Sequence, residues 1–307
     1  MNSKGRPLHA VTSPGLWMQR SDLSTLLDAE IGFWPFCLPG KVDAFIGWGR
    51  RPSGVRAVKL GIAHKKPVLT FEDGFLKSYA PGKDDPAHSF IIDRSGIYFN
   101  AAEDNDLKRL IDDETPDAEA LGRAAAAIRF IRENRLSKYN NSPLRGLADA
   151  GMPFGKPFVL LVDQVAGDAS IAGALADDKR FGEMLEHAKA HYPRAQIAVR
   201  THPAAGANSL LVGAARRLGI DIVIPGRMNP WPLLEEADAV YTVSSQLGFE
   251  ALMAGRKVHA FGATYYSHRG LTEDHCTVPQ PRGASSLEQV FHAAYIGYSR
   301  YLDLHDR

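Results

Sequence analysis

Short apolar runs of strand length alternate with longer stretches of helical spacing along most of the chain. In the first half, residues 44–48 read as a buried strand ending in Gly49-Arg50-Arg51-Pro52-Ser53-Gly54. Residues 55–64 fit a helix, and residues 67–71 form a second apolar run that leads directly into Glu72-Asp73-Gly74-Phe75. Residues 90–93 and 97–99 read as strands around the turn Arg94-Ser95-Gly96. A polar stretch over 101–118 precedes a long alanine-rich helix over 119–136, and residues 137–157, rich in Asn, Pro and Gly, read as a linker. The second half alternates more cleanly. Its strands fall at 158–162, 196–200, 220–224, 239–243 and 257–261, and its helices at 177–190, 210–218 and 231–237, from about 246, and from 287 to 301.

Runs this short, bounded by turn residues, fit strands buried on both faces, whereas the longer segments repeat with helical period. Strands alternating with helices predict parallel sheets joined by right-handed crossovers. Ligands of such sheets bind outside the carboxyl ends of the strands. The polar motifs obey this rule: Gly49-Arg50 and Glu72-Asp73 in one half, Asp163-Gln164, His202-Pro203 and Ser244-Ser245 in the other. Five polar groups at strand ends predict a cleft between two facing halves.

Residues 241–252, Tyr-Thr-Val-Ser-Ser-Gln-Leu-Gly-Phe-Glu-Ala-Leu, are the most informative stretch. Ser244 and Ser245 fall where the following helix needs an N-cap. A helix start offers unpaired N–H groups and a positive dipole end, and two hydroxyls add donors suited to a phosphate. The same pattern also fits a plain capped helix. Glu72 and Asp73 place adjacent carboxylates where a general acid or base would act, and the same pair fits an acidic turn. Asp168 follows Gly167, a residue free to adopt unusual backbone angles, and it fits either a nucleophile or a helix cap.

Composition narrows the choice. A chain of 307 residues, 45% hydrophobic and 23% charged, is an ordinary globular protein, with room for two domains of about 150 residues. A net charge of +1 supplies no global basic field for nucleic acid. Cys37 and Cys276 are far apart and lack metal-ligand spacing, which fits a reducing compartment. No apolar core of a signal peptide and no run of about 18 apolar residues is found, so a cytoplasmic location is expected. No His-Glu-x-x-His, Cys pair or Asp-x-Asp falls at the predicted cleft, so the motifs there do not call for a metal. No Gly-x-Gly-x-x-Gly follows the first strand and no Gly-Lys-Ser/Thr loop occurs, against dinucleotide oxidoreductases and P-loop enzymes.

A set of ordered motifs carries a resemblance. Gly47-Trp48-Gly49-Arg50-Arg51-Pro52-Ser53-Gly54, Phe71-Glu72-Asp73-Gly74-Phe75, Ser137-Lys138-Tyr139-Asn140, Asp163-Gln164 with Gly167-Asp168-Ala169-Ser170, Arg200-Thr201-His202-Pro203 and residues 244–252 occur in this order, followed by Phe261-Gly262 and Gly270-Leu271-Thr272. Together, from about Ala44 to Leu287, they resemble the capsule polysaccharide β-Kdo glycosyltransferases of Gram-negative bacteria, which often carry two transferase modules in tandem. This chain has the length of one module and resembles the first.

The resemblance implies an α/β protein of GT-B architecture, two Rossmann-like domains facing across a cleft. Residues 1–150 would form the acceptor-side domain and 151–287 the nucleotide-sugar donor domain, with a C-terminal helix in 288–307 crossing back to the first. It implies CMP-β-Kdo as donor substrate, no cofactor, and a Kdo-terminated glycolipid as acceptor, with retention of the β configuration. Such an enzyme serves capsule polysaccharide biosynthesis and export, in the cytoplasm or peripherally at the inner membrane beside capsule assembly proteins. Carried over by position, Ser244, Ser245 and His202 hold the CMP phosphate, with Pro203, Gln246 and Gln164 in the same donor group. Arg50, Arg51, Gly74, Lys138, Arg200 and Arg269 are the substrate-binding candidates; Arg269 stands where the family commonly has Trp before Gly-Leu-Thr. Retention can arise from two displacements through a covalent intermediate, with Asp168 the first choice of nucleophile, Asp163 the second, and Glu72 or Asp73 deprotonating the incoming hydroxyl. Glu72-Asp73-Gly74 and His202-Pro203 also resemble paired motifs of bacterial sialyltransferases. Two other readings therefore stand beside this one: an inverting transferase of another CMP-sugar with Asp73 as base, and a catalytically inactive nucleotide- or glycan-binding module.

Overall fold

The apolar runs assemble into two six-stranded sheets, one in each half of the chain. The computed structural model describes residues 6–80, 85–146, 148–150, 157–203, 208–220 and 222–303. Their strands are β1 (Leu8–Val11), β2 (Glu30–Phe33), β3 (Ala44–Trp48), β4 (Val68–Asp73), β5 (Ser89–Asp93), β6 (Phe158–Val162), β7 (Gln196–Arg200), β8 (Ile222–Ile224), β9 (Ala239–Thr242), β10 (Lys257–Ala260), β11 (Glu273–Asp274) and β12 (Ser299–Tyr301). The first sheet has the order β12-β5-β4-β3-β1-β2 and the second β11-β10-β9-β6-β7-β8. Every pairing in the second sheet is parallel, while in the first β4–β5 and β5–β12 are antiparallel.

The glycine-rich turn after β3 is a packing device. A Cβ on Gly47 would lie 2.5 Å from Gly54 Cα, and one on Gly54 only 1.9 Å from the Gly49 carbonyl oxygen. The helix Pro52–His64 thus sits directly on its strand. It begins earlier than its apolar spacing suggests, because Pro52 occupies the first turn, where no N–H is needed.

Several expectations are revised. Residues 97–99 form no strand: the Asp93 carboxylate accepts the Ser95 and Gly96 N–H groups at 2.8 and 2.7 Å and closes a turn instead. The polar stretch hides a helix, Asp106–Asp112, capped by Asn105 and burying Leu107 and Ile111 at i,i+4 spacing. The first 43 residues hold β1, β2 and the helices Pro14–Met18 and Arg20–Leu27, none of which the apolar pattern announced. The final helix does not run to 301. It is α-helical over Leu287–Phe291 and π-helical over His292–Tyr298, and then Ser299 turns extended and β12 pairs antiparallel with β5 of the first sheet.

Of the expected linker, residues 147 and 151–156 lie outside the described residues, and so does residue 221 of an expected strand. The start of the linker is firmly held. Lys138 carbonyl oxygen accepts the Lys77 and Ser78 N–H groups at 3.2 and 3.3 Å, and Asn140 N–H donates to the Tyr79 carbonyl at 2.7 Å. One apolar cluster joins the halves, with Phe75, Ile91 and Ile128 from the first packed with Leu160, Trp231, Phe249 and Tyr295. Among the described residues no helix is long and apolar enough to cross a membrane.

The C-terminal return is anchored by the Tyr298 hydroxyl, which donates to buried Asp93 at 2.6 Å. Tyr298→Phe leaves that carboxylate short of a donor and should cost about 1–3 kcal/mol. Urea unfolding should show a lower midpoint with an unchanged slope.

Candidate active site

The ends of β3 and β4 meet the loops after β6, β7 and β9 around a cavity of about 660 Å³. Arg50, Arg51, Glu72, Asp73 and Lys138 line it from the first half, and Gln164, Asp168, His202, Ser244, Ser245 and Gln246 from the second. A neighbouring cavity of about 470 Å³ shares Lys138, His202, Ser245 and Gln246 and extends past Pro203, Arg200 and Glu250. Polar strand ends from both halves therefore converge, as parallel sheets dispose them.

On the first-half wall, Glu72 is wedged against the β3 turn. Its Oε1 accepts Trp48 Nε1–H at 2.8 Å, and a Cβ on Gly49 would lie 2.4 Å from its Oε2. Burial, with the Asp73 charge adding, raises the Glu72 pKa. Asp73 pairs with Lys77 at 2.9 Å through Oδ2, while its buried Oδ1 has no hydrogen-bond partner among the described residues. Burial works against the Lys138 ammonium, but Tyr98, Tyr139, Asp73 and Glu72 around it more than offset this and hold its pKa above the ordinary range. Arg50 forms an ion pair with Glu103, and Arg51 lies over the Trp48 ring at 5.4 Å.

On the opposite wall, Gln164 Nε2–H donates to Ser244 Oγ at 2.8 Å, Ser244 N–H donates to Gln164 Oε1 at 3.0 Å, and the Ser170 hydroxyl is 3.0 Å from that of Ser244. Ser245 Oγ accepts Leu247 N–H at 3.2 Å at the start of the helix Leu247–Met253. Burial depresses the His202 pKa, partly countered by Asp168. Asp168 does cap the short helix Ala169–Gly173: its Oδ1 accepts Ser170 N–H at 2.9 Å. Its second oxygen accepts nothing from a described residue, and Gly167 before it has φ +81.

Four candidates stand elsewhere. Asp163 is turned into its own domain, 1% exposed, with Oδ1 accepting the N–H groups of Gln164, Leu210 and Leu211 and Oδ2 the Ser209 hydroxyl. It organises two loops and does not line either cavity. Arg269, 2% exposed, bonds the Tyr265 carbonyl at 2.9 Å and Asp112 at 2.6 Å, bridging the two halves away from the cleft. Gly74 is a close-approach position, where a Cβ would meet Ser89 Oγ at 2.1 Å. Arg200 reaches only the second cavity, its Nη2 donating to the Gly226 and Met228 carbonyls, both at 2.9 Å; burial lowers its pKa to about 10.

Ser170 and Glu250 belong to the site region without having been singled out. Ser170 lies within the motif Gly167-Asp168-Ala169-Ser170. Glu250 was detectable: Gly248, Phe249, Ala251 and Leu252 leave its helix no polar face, so its carboxylate must be buried. Among the described residues one group has the spacing of metal ligands, His187, His259 and His275, and it lies outside both cavities.

A polar cavity at the strand ends of two facing Rossmann-like halves defines a glycosyltransferase-like protein of GT-B architecture. The family model described as capsule polysaccharide biosynthesis protein matches residues 43–301, and the chain belongs to that family. It is 35% identical over 294 residues to the capsule polysaccharide modification protein LipA of Neisseria meningitidis serogroup B, covering 92% of this chain and 41% of that protein. It is 34% identical to the lipopolysaccharide-processing protein LpsZ of Rhizobium meliloti over 84% of this chain and 60% of that one. The chain thus spans about half the length of these relatives. Among solved structures it resembles the Thermosulfurimonas dismutans KpsC β-Kdo 2,4 transferase, with TM-score 0.85 and 31% identity over 97% of this chain and 92% of that one. The KpsC β-Kdo 2,7 transferase from the same organism shares the fold, with TM-score 0.74 and 24% identity over 97% and 93%.

The buried Glu250 gives a pH signature. Burial pushes its pKa from 4.5 up to about 7, so the folded state binds more protons than the unfolded one across that window. Its contribution to stability is present at low pH and is lost as pH rises from about 4.5 to about 7. Glu250→Gln should flatten this part of the stability–pH curve, read by denaturant unfolding at a series of pH values.

Proposed function

We propose that the chain transfers β-Kdo from CMP-β-Kdo to a Kdo-terminated glycolipid during capsule polysaccharide assembly, with retention of configuration. The observation that carries this reading is the cavity itself: Asp168, with one oxygen bonded to no described residue, shares a wall with Ser244, Ser245 and His202 and lies in the same cavity as Glu72 and Asp73. The likeness to the β-Kdo 2,4 transferase of KpsC supports Kdo chemistry and favours the acceptor's 4-hydroxyl. Residues 1–150 take the acceptor, residues 151–287 the donor, and the C-terminal segment ties the two.

In the first step Asp168 attacks the anomeric carbon as the bond to the phosphate oxygen breaks. CMP leaves with the electron pair, through an oxocarbenium-like transition state. The hydroxyls of Ser244 and Ser245, with His202, meet the charge gathering on the phosphate, as oriented donors do best in a water-poor site. In the second step the acceptor hydroxyl attacks the same carbon, Glu72 or Asp73 takes its proton, and the bond to Asp168 breaks. Two inversions give retention. Arg50, Arg51 and Lys138 supply positive charge for the carboxylates of the Kdo units. A CMP-sugar donor and a lipid-borne acceptor place this reaction in the cytoplasm at the inner membrane surface, beside other capsule assembly proteins.

The decisive experiment incubates the protein with CMP-Kdo generated in situ and a synthetic Kdo-capped acceptor, reading product mass and, by NMR, anomeric configuration. A β product is expected. An α product would remove the double displacement and leave Asp73 as the base of a single one. Losing a cap costs about 1 kcal/mol, whereas losing a covalent nucleophile costs turnover by orders of magnitude. Asp168→Asn should therefore stay folded and lose turnover, while Asp163→Asn should mainly lower the unfolding midpoint. Retention of most activity by Asp168→Asn sinks the assignment.

Because the leaving group carries a single phosphate, magnesium or manganese added to chelator-treated enzyme should not raise turnover. Restoration of lost activity by either ion would contradict this.

A further inference from the structure

Far from the polar cavities, three imidazoles converge where the helix Lys179–His191 packs on the second sheet. His187 comes from that helix, His259 from β10 and His275 from the residue after β11. One ligand atom of each lies within 4.8 Å of the other two. His259 Nδ1 is 3.0 Å from His275 Nε2, and the His187 and His275 rings are 4.3 Å apart by centroid. Aromatic neighbours hold the rings in place. Tyr241 stacks on His259 at 4.2 Å and 9°, and Phe261 stacks on His275 at 4.4 Å and 18°.

The hydrogen bonding of this cluster is incomplete. His259 is 2% exposed, and its Nε2 has no partner among the described residues. No described carboxylate forms a salt bridge with any of the three rings.

We propose that His187, His259 and His275 bind a zinc-class divalent ion, with water as the fourth ligand. Two imidazole nitrogens on one tetrahedral zinc, each about 2.0–2.1 Å from the metal, lie about 3.4 Å apart. The 3.0 Å between His259 and His275 is close to that separation. Three nitrogen donors without a carboxylate select borderline ions such as zinc, nickel, cobalt and copper over magnesium or calcium. The nearby Cys276 thiol is engaged with His268 Nε2 at 3.4 Å, so it is not a fourth ligand here. His187 and His275 are partly exposed and give an ion access, while His259 is held inside. Bound there, the ion ties the helix to β10 and to the outer edge of the sheet, and its role is structural.

The test uses the full chain, stripped with a chelator, dialysed, and loaded with Zn²⁺ or Co²⁺. Wild type should retain one equivalent of zinc through gel filtration, melt at higher temperature with zinc but not with magnesium, and give the intense visible absorption of tetrahedral cobalt. His187→Gln and His275→Asn, both at partly exposed positions, should each lose all three responses, with metal-free circular dichroism like that of metal-free wild type. Should one variant misfold, the other decides. Failure of wild type to retain zinc, or equal retention by a folded variant, overturns the proposal.

Discussion

Glu250 sits in a helix whose residues from Gly248 to Met253 are all buried, so its carboxylate has only the junction between the halves to enter. There the Ser137 hydroxyl lies 3.0 and 2.8 Å from its two oxygens, and Gln246 Nε2 is 3.3 Å from Oε1. Gln246 also donates to the Phe75 carbonyl at 2.7 Å, carrying the contact into the first half. The neighbouring chain is held as tightly: Trp231 Nε1 donates to the Leu136 carbonyl at 2.7 Å and Asn229 to that of Arg135 at 3.0 Å. Lys138, which lines both cavities, therefore has its backbone clamped from two sides. The position of the cleft walls depends on this junction. Placing a carboxylate there, at the cost of a raised pKa, gives a polar contact that apolar packing could not direct, because only matched donors satisfy it.

The two walls differ in electrostatic character. The first-half wall gathers opposite charges, Glu72 and Asp73 against Lys77, Lys138 and the arginines, and burial makes each expensive unless its neighbours offset it. The second-half wall is mostly neutral: Gln164, Ser170 and Ser244 present hydroxyls and an amide already linked to one another, and the Ser245 hydroxyl accepts Leu247 N–H beside them.

Much of the second sheet was legible because its strands are uninterrupted apolar runs buried on both faces; β6 and β7 lie where the pattern put them, residue for residue. The family and its architecture were legible from ordered motifs at strand ends. What the pattern missed has physical causes. The strands β1 and β2 are four residues each and contain His9, Glu30 and Gly32, too short and mixed for periodicity to register. The helix Asp106–Asp112 buries only Leu107 and Ile111. At the C-terminus, helical spacing persists through the π-turns, and only pairing with β5, a contact more than 200 residues distant in sequence, pulls Ser299 into a strand. Arg269 illustrates the limit of position-matching. Its place beside a motif suggested substrate, but Asp112 from the hidden helix claims it.

The carboxylates can be told apart by how many donors each already has. Asp163 accepts four, all within its own domain, and Glu250 is matched to Ser137 and Gln246 at the junction. An oxygen already bonded in this way must shed its donors before attacking carbon, so saturation at rest opposes nucleophilicity and favours a structural role. Asp168 gives one oxygen to its cap while the other bonds no described residue, and Asp73 keeps a buried Oδ1 with no partner among the described residues. Both of these line the larger cavity and neither saturated carboxylate does. Asp163 and Asp168 share residue type and the loop that follows β6, which is why sequence could not rank them securely. The difference is made by Ser209, Leu210 and Leu211, nearly 50 residues along, which fold back to occupy one carboxylate and leave the other to the cavity.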